Sequence, residues 1–184
     1  MTAAEQLTGL VLPGNWNVTE KLKHVGTSGG CFSVPYVVED QNGTPHFLKA
    51  FDFSSAFEPG VDVIKELQRL TSAFEHERDI LEHCKARRLS AVTVAIAHGY
   101  VQIPGLSAQE GTVYYLIFER ADSDVRRQVD KTNRLELLWC LQILNDVSLG
   151  LLKVHREAIA HQDIKPSNVL IYGRNCRVGD FGRS

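Results

Sequence analysis

Between residues 17 and 53 apolar and polar positions alternate along the chain, punctuated by Gly26, Gly29, Gly30 and a Gln41-Asn42-Gly43 turn, and this pattern predicts three antiparallel strands. Pro59-Gly60 ends the alternation, and from 61 to 87 the period becomes helical. Val63, Leu67, Leu70, Phe74, Glu77, Leu81 and Cys84 follow one another at steps of four and three, which keeps them on one helix face. Glu77 is a carboxylate inside that apolar stripe. Burying it unpaired would cost several kcal/mol, so the pattern demands a cation opposite it. Two more strands are predicted at 92–103 and 112–119, joined by a connection running from Pro104-Gly105 to Gly111. Ala121-Asp122-Ser123-Asp124 reads as a linker and a capped helix start. A long helix is expected over 135–156, with Leu137, Leu141, Leu144, Leu151 and Leu152 among its candidate buried positions. A hairpin at 168–172 and 176–179, turning at Gly173-Arg174-Asn175, follows it.

Composition narrows the class of protein. The chain has 184 residues, 43% of them apolar, and a formal net charge of -2, which excludes a disordered tail, a collagen-like repeat and a strongly basic nucleic-acid binder. A chain of this length buries roughly 70% of its unfolded surface, enough for one domain or slightly more. Apolar runs fall short of the roughly 18 to 20 residues needed to span a bilayer, and the first residues lack a signal-peptide layout. No membrane association and a cytoplasmic location are therefore expected. Cys31, Cys84, Cys140 and Cys176 stand far apart without a C-x-x-C pair, as reduced thiols do, and the cluster Lys85 to Arg88 reads as a solvated helix end.

Three segments carry candidate chemistry. In HFLKAFDF, Lys49 lies among apolar residues on a strand, either snorkelling outward or paired with a carboxylate, and Glu77 is a carboxylate that needs such a partner. In HQDIKPSN, Asp163, Lys165 and Asn168 offer a base, a charge stabiliser and a metal ligand within a few residues, as phosphoryl transfer requires. Asp, Pro, Ser and Asn are also ordinary turn residues, and His161 alone reads more readily as a satisfied core histidine. In GDFG, Asp180 follows a strand and precedes a glycine, an arrangement that a simple turn also explains.

Taken in order, the glycine-rich turn, strand lysine, helix glutamate, H-x-D-x-K-x-x-N loop and D-F-G resemble the protein kinase family over nearly the whole chain. Lys165, two residues after the aspartate, makes the chain similar to the Ser/Thr branch. The resemblance implies an α+β fold: a small lobe with a five-strand antiparallel sheet and one main helix at 1–119, and a hinge with the first part of a helical large lobe at 120–184. It implies an ATP- and Mg²⁺-dependent enzyme that transfers the γ-phosphoryl group to a Ser/Thr hydroxyl of a protein substrate. Lys49 then holds the α and β phosphates and Glu77 orients it. Asp163 accepts the hydroxyl proton, Lys165 stabilises the moving phosphoryl group, and Asn168 and Asp180 are the magnesium ligands. Glu119 and Ala121 mark the hinge that meets the adenine, while Gly26, Gly29, Gly30 and Val34 belong to the phosphate loop.

The sequence departs from the family pattern in places. The loop V-G-T-S-G-G-C-F-S-V fits G-x-G-x-x-G-x-V in more than one register, and HQD replaces HRD, which removes the arginine that would meet an activation-loop phosphate. The sequence stops at Arg183-Ser184, directly after D-F-G. The resemblance therefore implies an incomplete large lobe, and no catalysis is expected of these residues alone. Part of the apolar face of the 135–156 helix would be uncovered, a surface for a partner or for self-association. Two other functions share these features: a nucleotide-binding or interaction module without catalysis, and a small-molecule phosphotransferase. D-F-G and the lysine of DIKPSN favour the protein kinase over the latter.

Overall fold

A computed structural model describes residues 1–23, 33–132 and 134–183. Gly26, Gly29, Gly30 and Cys31 lie outside the described residues. The chain divides into two units, one comprising Met1–Arg78 and Ala95–Arg120, the other Asp79–Val94 and Ala121–Ser184.

The first unit is built on an antiparallel sheet of strands β1 (Val11–Leu12), β2 (Trp16–Lys21), β3 (Ser33–Glu39), β4 (Pro45–Phe51), β5 (Ala95–Gln102) and β6 (Thr112–Glu119), in the order β1-β2-β3-β4-β6-β5. Six strands replace the five expected, because β1 is only a two-residue pairing with β2 and carries no periodic signal. The β3–β4 turn forms where Asp40 Oδ1 accepts hydrogen bonds from the backbone of Asn42 and Thr44, with Gly43 at φ 75°. One sheet face buries Tyr36, Val38, Leu48, Ala50, Tyr115 and Ile117. The N-terminal segment joins this core: a 3-10 turn at Ala3–Glu5 buries Ala4, Leu7 follows it inward, and Tyr36 Oη donates to the Ala4 carbonyl at 2.8 Å.

Helix α1 (Val63–Ala86) and the short helix α2 (Ala108–Gly111) complete the connections of this sheet. The α1 stripe is buried from Leu70 onward, while Val63 is exposed. Phe74 meets Phe51 edge to face at 5.0 Å, which sets the helix on the sheet face opposite Leu48 and Ala50.

The second unit contains strand β7 (Ser123–Asp124), helices α3 (Val125–Lys131) and α4 (Leu137–Arg156), a 3-10 turn at Pro166–Asn168, and strands β8 (Val169–Tyr172) and β9 (Asn175–Val178). The sheet order is β7-β8-β9. Asp124 caps α3 by accepting from the Arg127 amide at 2.9 Å. Residues 79–94 belong to this unit, against the expected boundary at 119, because Val92 bridges Val178 and the Thr93 amide donates to the Val178 carbonyl at 2.8 Å.

Helix α4 corrects two expectations. Its packed face is Trp139, Ile143 and Val147, set against Val125, Val169 and Cys176, with Gly150 and Val154 buried further along. Leu137, Leu141, Leu144 and Leu152 are exposed instead, because the helix is apolar on two sides and its own unit covers one. With 20 residues and few charges, this helix is long and apolar enough to cross a membrane by length and composition. Counting unbroken apolar runs misses this, because Gln142, Asn145, Asp146 and Ser148 interrupt the run without lowering the mean hydropathy far.

Candidate active site

Within the first unit, strand β4 puts Phe47, Lys49 and Phe51 on the face toward α1 by its period of two. Helix α1 brings Glu77 there from its buried stripe. Lys49 Nζ donates to both Glu77 oxygens, at 2.8 and 2.9 Å, with only 11% of the lysine side chain and 2% of the glutamate exposed. Desolvation of two opposite charges is offset only by such bidentate contact, which fixes the ammonium in place. Val34 is buried on β3 opposite Ala50, and Glu119 ends β6 with its side chain exposed.

Within the second unit, the loop before β8 gathers its polar groups around one carboxylate. Lys165 Nζ donates to Asp163 Oδ2 at 2.6 Å, and Asn168 Nδ2 donates to the same oxygen at 3.2 Å and to the Asp163 carbonyl at 2.9 Å. The lysine hydrogen bond first, then its charge and the Asn168 amide, outweigh partial burial and hold the Asp163 carboxyl below the usual carboxylate range. Asp163 Oδ1 takes none of these bonds.

His161 forms the floor beneath. It is buried, its Nε2 lies 2.8 Å from the Gly179 carbonyl, and its ring packs on Phe181 at 4.7 Å. A carbonyl only accepts, so Nε2 carries the hydrogen and Nδ1 is left to accept the Asp163 amide at 3.4 Å. The histidine is thus a positioning residue with both ring nitrogens engaged. On the other side of Gly179, its amide donates to the Asn168 carbonyl at 2.9 Å. The Asp-Phe-Gly turn is therefore tied to the loop that carries Asp163. Gln162 and Asp180 both adopt left-handed backbone, φ 57° and 64°. Such strain in non-glycine residues is held only by surrounding contacts and clusters at functional sites. No sequence signal announces it at a glutamine.

The donors fit a magnesium ion. Asn168 is buried and commits its amide nitrogen to Asp163, so its oxygen is the atom left for a cation, and Asp180 supplies a carboxylate from the adjoining turn. Hard oxygens in small number suit Mg²⁺, which keeps waters and substrate oxygens in its shell. Among the described residues no group of three or more His, Cys, Asp or Glu side chains is placed to hold a metal. Cys84 and Cys176 are buried thiols pushed up to about 11, chiefly by burial, and carry no reactive character.

A carboxylate, an ammonium and an oxygen-donor pair in one loop and turn belong to the class of phosphoryl-transfer proteins. A model of the protein kinase domain matches residues 36–184, and the chain belongs to the protein kinase family. Among curated relatives, it is 25% identical to mitogen-activated protein kinase 5 of Arabidopsis thaliana over 122 residues, 63% of this chain and 32% of the relative. It is 44% identical to the proto-oncogene serine/threonine-protein kinase mos of Sus scrofa over 52 residues, 28% of this chain and 15% of that protein. It is 29% identical to eukaryotic translation initiation factor 2-alpha kinase 2 of Plasmodium berghei (strain Anka) over 69 residues, 37% of this chain and 2% of that protein. The matched segments span less than a third of these relatives' lengths.

Proposed function

We propose that the protein transfers the γ-phosphoryl group of ATP to a Ser/Thr hydroxyl of a protein substrate. The observation that carries this reading is the double bonding of Asp163 Oδ2 by Lys165 and Asn168, which leaves Oδ1 to meet the acceptor hydroxyl. Asp163 stays ionised at neutral pH and is a weak base there, so it orients the hydroxyl first and takes its proton late in the transfer. Lys165 serves twice, holding that carboxylate and presenting positive charge to the phosphoryl oxygens. Lys49, fixed by Glu77, contacts the nucleotide phosphates, and Glu119 and Ala121 offer hinge backbone to the adenine. Mg²⁺, held by Asn168 and Asp180, supplies charge neutralisation at the phosphates when bound. The names of the Ser/Thr kinases among its relatives support the hydroxyl class.

Transfer of labelled γ-phosphate from ATP and Mg²⁺ to a mixture of Ser- and Thr-containing proteins tests this, alongside Asp163→Asn and Lys49→Met. Loss of a positioned base lowers the rate by about 10²–10⁴-fold. Activity retained in Asp163→Asn contradicts the assignment, and a chain that neither transfers phosphate nor gains thermal stability with ATP and Mg²⁺ removes the reading altogether.

A further inference from the structure

The connection 87–94 between α1 and β5 opens with Arg87-Arg88-Leu89-Ser90, in which both arginines and the serine are exposed. Helix α1 ends there in a left-handed cap. Arg88, at φ 53°, donates its amide to the Lys85 carbonyl at 3.0 Å, and the Leu89 amide donates to that of Cys84 at 3.1 Å. Such a cap favours glycine, because any side chain is strained in left-handed backbone, yet an arginine stands at it. Ser90 follows, and its Oγ accepts from Lys153 Nζ of α4 at 2.8 Å, within the same unit. Exposed Arg156 stands three residues beyond Lys153, on the neighbouring turn of the same helix side.

We infer that Ser90 is a phosphorylation site for an arginine-directed Ser/Thr kinase, and that Lys153 holds the phosphate. Two guanidinium forks just before an acceptor hydroxyl suit an enzyme whose substrate groove is lined with carboxylates. Among the Ser and Thr residues of the chain, Ser90 alone follows arginines at both three and two residues' distance. Ser72 has only Arg69 before it, and Glu66 grips that guanidinium at 2.7 and 2.8 Å within α1. Arg87 is also paired, its Nε 3.1 Å from Glu157 Oε2, but at 60% exposure it exchanges this carboxylate for another at little cost. The amide bonds at 88 and 89 close a helix end, the part of a helix that opens most readily. In the transfer, the bond from the γ-phosphorus of the enzyme's ATP to its bridging oxygen breaks and a bond to Ser90 Oγ forms. ADP leaves, and the enzyme's base takes the hydroxyl proton. The product carries a charge of about -1.5 to -2 and three acceptor oxygens where an ammonium already touches Oγ. The next residues, Ala91 to Thr93, pair with Val178 of β9, so a phosphate clamped by Lys153 stiffens that attachment. This inference does not rest on the phosphoryl-transfer reading.

Incubation of the whole chain with Mg²⁺-ATP and an arginine-directed Ser/Thr kinase, read by tandem mass spectrometry, tests it; a reaction without added kinase measures self-labelling. Phosphate on Ser90 is expected, and Ser90→Ala should lose it. Arg87→Gln/Arg88→Gln should slow labelling of Ser90 by about 10- to 100-fold, as loss of charged hydrogen bonds to the enzyme requires. Loosening of the loop cannot mimic this result, because removing the Arg87–Glu157 pair would favour opening and faster labelling. Phosphorylation should slow amide exchange of residues 87–93 by about 2- to 5-fold in the parent, and Lys153→Gln should be labelled without that slowing. A parent chain left unmodified at Ser90, or one labelled there equally fast without the two arginines, overturns the site. Exchange that is unchanged by the phosphate, or slowed equally in Lys153→Gln, overturns the clamp.

Discussion

The Lys49–Glu77 pair is the most consequential contact of the first unit, and its removal one partner at a time has a calculable effect. Replacing Glu77 by Leu leaves an ammonium that is 11% exposed without the carboxylate that grips it through both oxygens. Breaking a buried ion pair in this way costs about 3–5 kcal/mol, whereas replacing both partners by apolar groups is often neutral or stabilising by about 1–4 kcal/mol. Lys49→Met with Glu77→Leu should therefore recover most of what Glu77→Leu loses, since Phe51 and Phe74 already line that face. With a urea slope of about 2 kcal/mol/M, the single substitution lowers the unfolding midpoint by about 1.5–2.5 M. Trp16 lies in the first unit and Trp139 in the second, so a Trp139→Phe background lets fluorescence report the first unit alone. A Glu77→Leu midpoint within 0.5 M of the parent, or a double variant weaker than both singles, would refute the reasoning. Nucleotide binding should separate from stability: the double variant folds yet gains no thermal shift with ATP.

Gly150→Ala tests the packing of α4, because the added Cβ would sit 2.9 Å from the Ala91 carbonyl oxygen and 3.1 Å from Val178 Cγ2. Overpacking of about 1–3 kcal/mol should outweigh the roughly 1 kcal/mol that alanine gains over glycine in a helix, so the melting temperature falls, and a rise would be contrary evidence. Asp163 has a folded pKa below its unfolded value, so it contributes stability above the ordinary carboxylate range and loses it as pH falls through the folded value. The urea midpoint of the parent relative to Asp163→Asn should thus be flat from pH 7 to about 5 and converge only below about 4; convergence near pH 6 would contradict the lysine-bound carboxylate.

Much of this was readable because period and chemistry agreed. The α1 stripe is buried from Leu70 to Cys84, and the misplaced carboxylate within it located its own partner, since an unpaired Glu77 was too costly to leave. Strand β6 and the hairpin of β8 and β9 lie close to where alternation and turn residues put them. Helix α4 is ambiguous in the sequence because periodicity cannot rank two apolar faces; the face that packs carries Trp139, Ile143 and Val147, and Gly150 further along it lets the chain approach Ala91 closely. The N-terminal segment carries no readable pattern for a different reason. Ala4, Leu7 and Leu12 are too few and too irregularly spaced to form a pattern, yet all are buried. At the site, residue types single out Asp163, Lys165 and Asn168, which the structure brings together, whereas the left-handed backbone at Gln162 and Asp180 flanks the long-range His161–Gly179 bond, which no local window contains.

Gly179 is held on both sides of its residue, its amide by the Asn168 carbonyl and its own carbonyl by His161. Its amide proton is consequently a built-in clock for the second unit. It can exchange with deuterium only when the turn bearing Asp180 parts from the loop bearing Asp163, so one exchange rate measures how often the two segments come undone together.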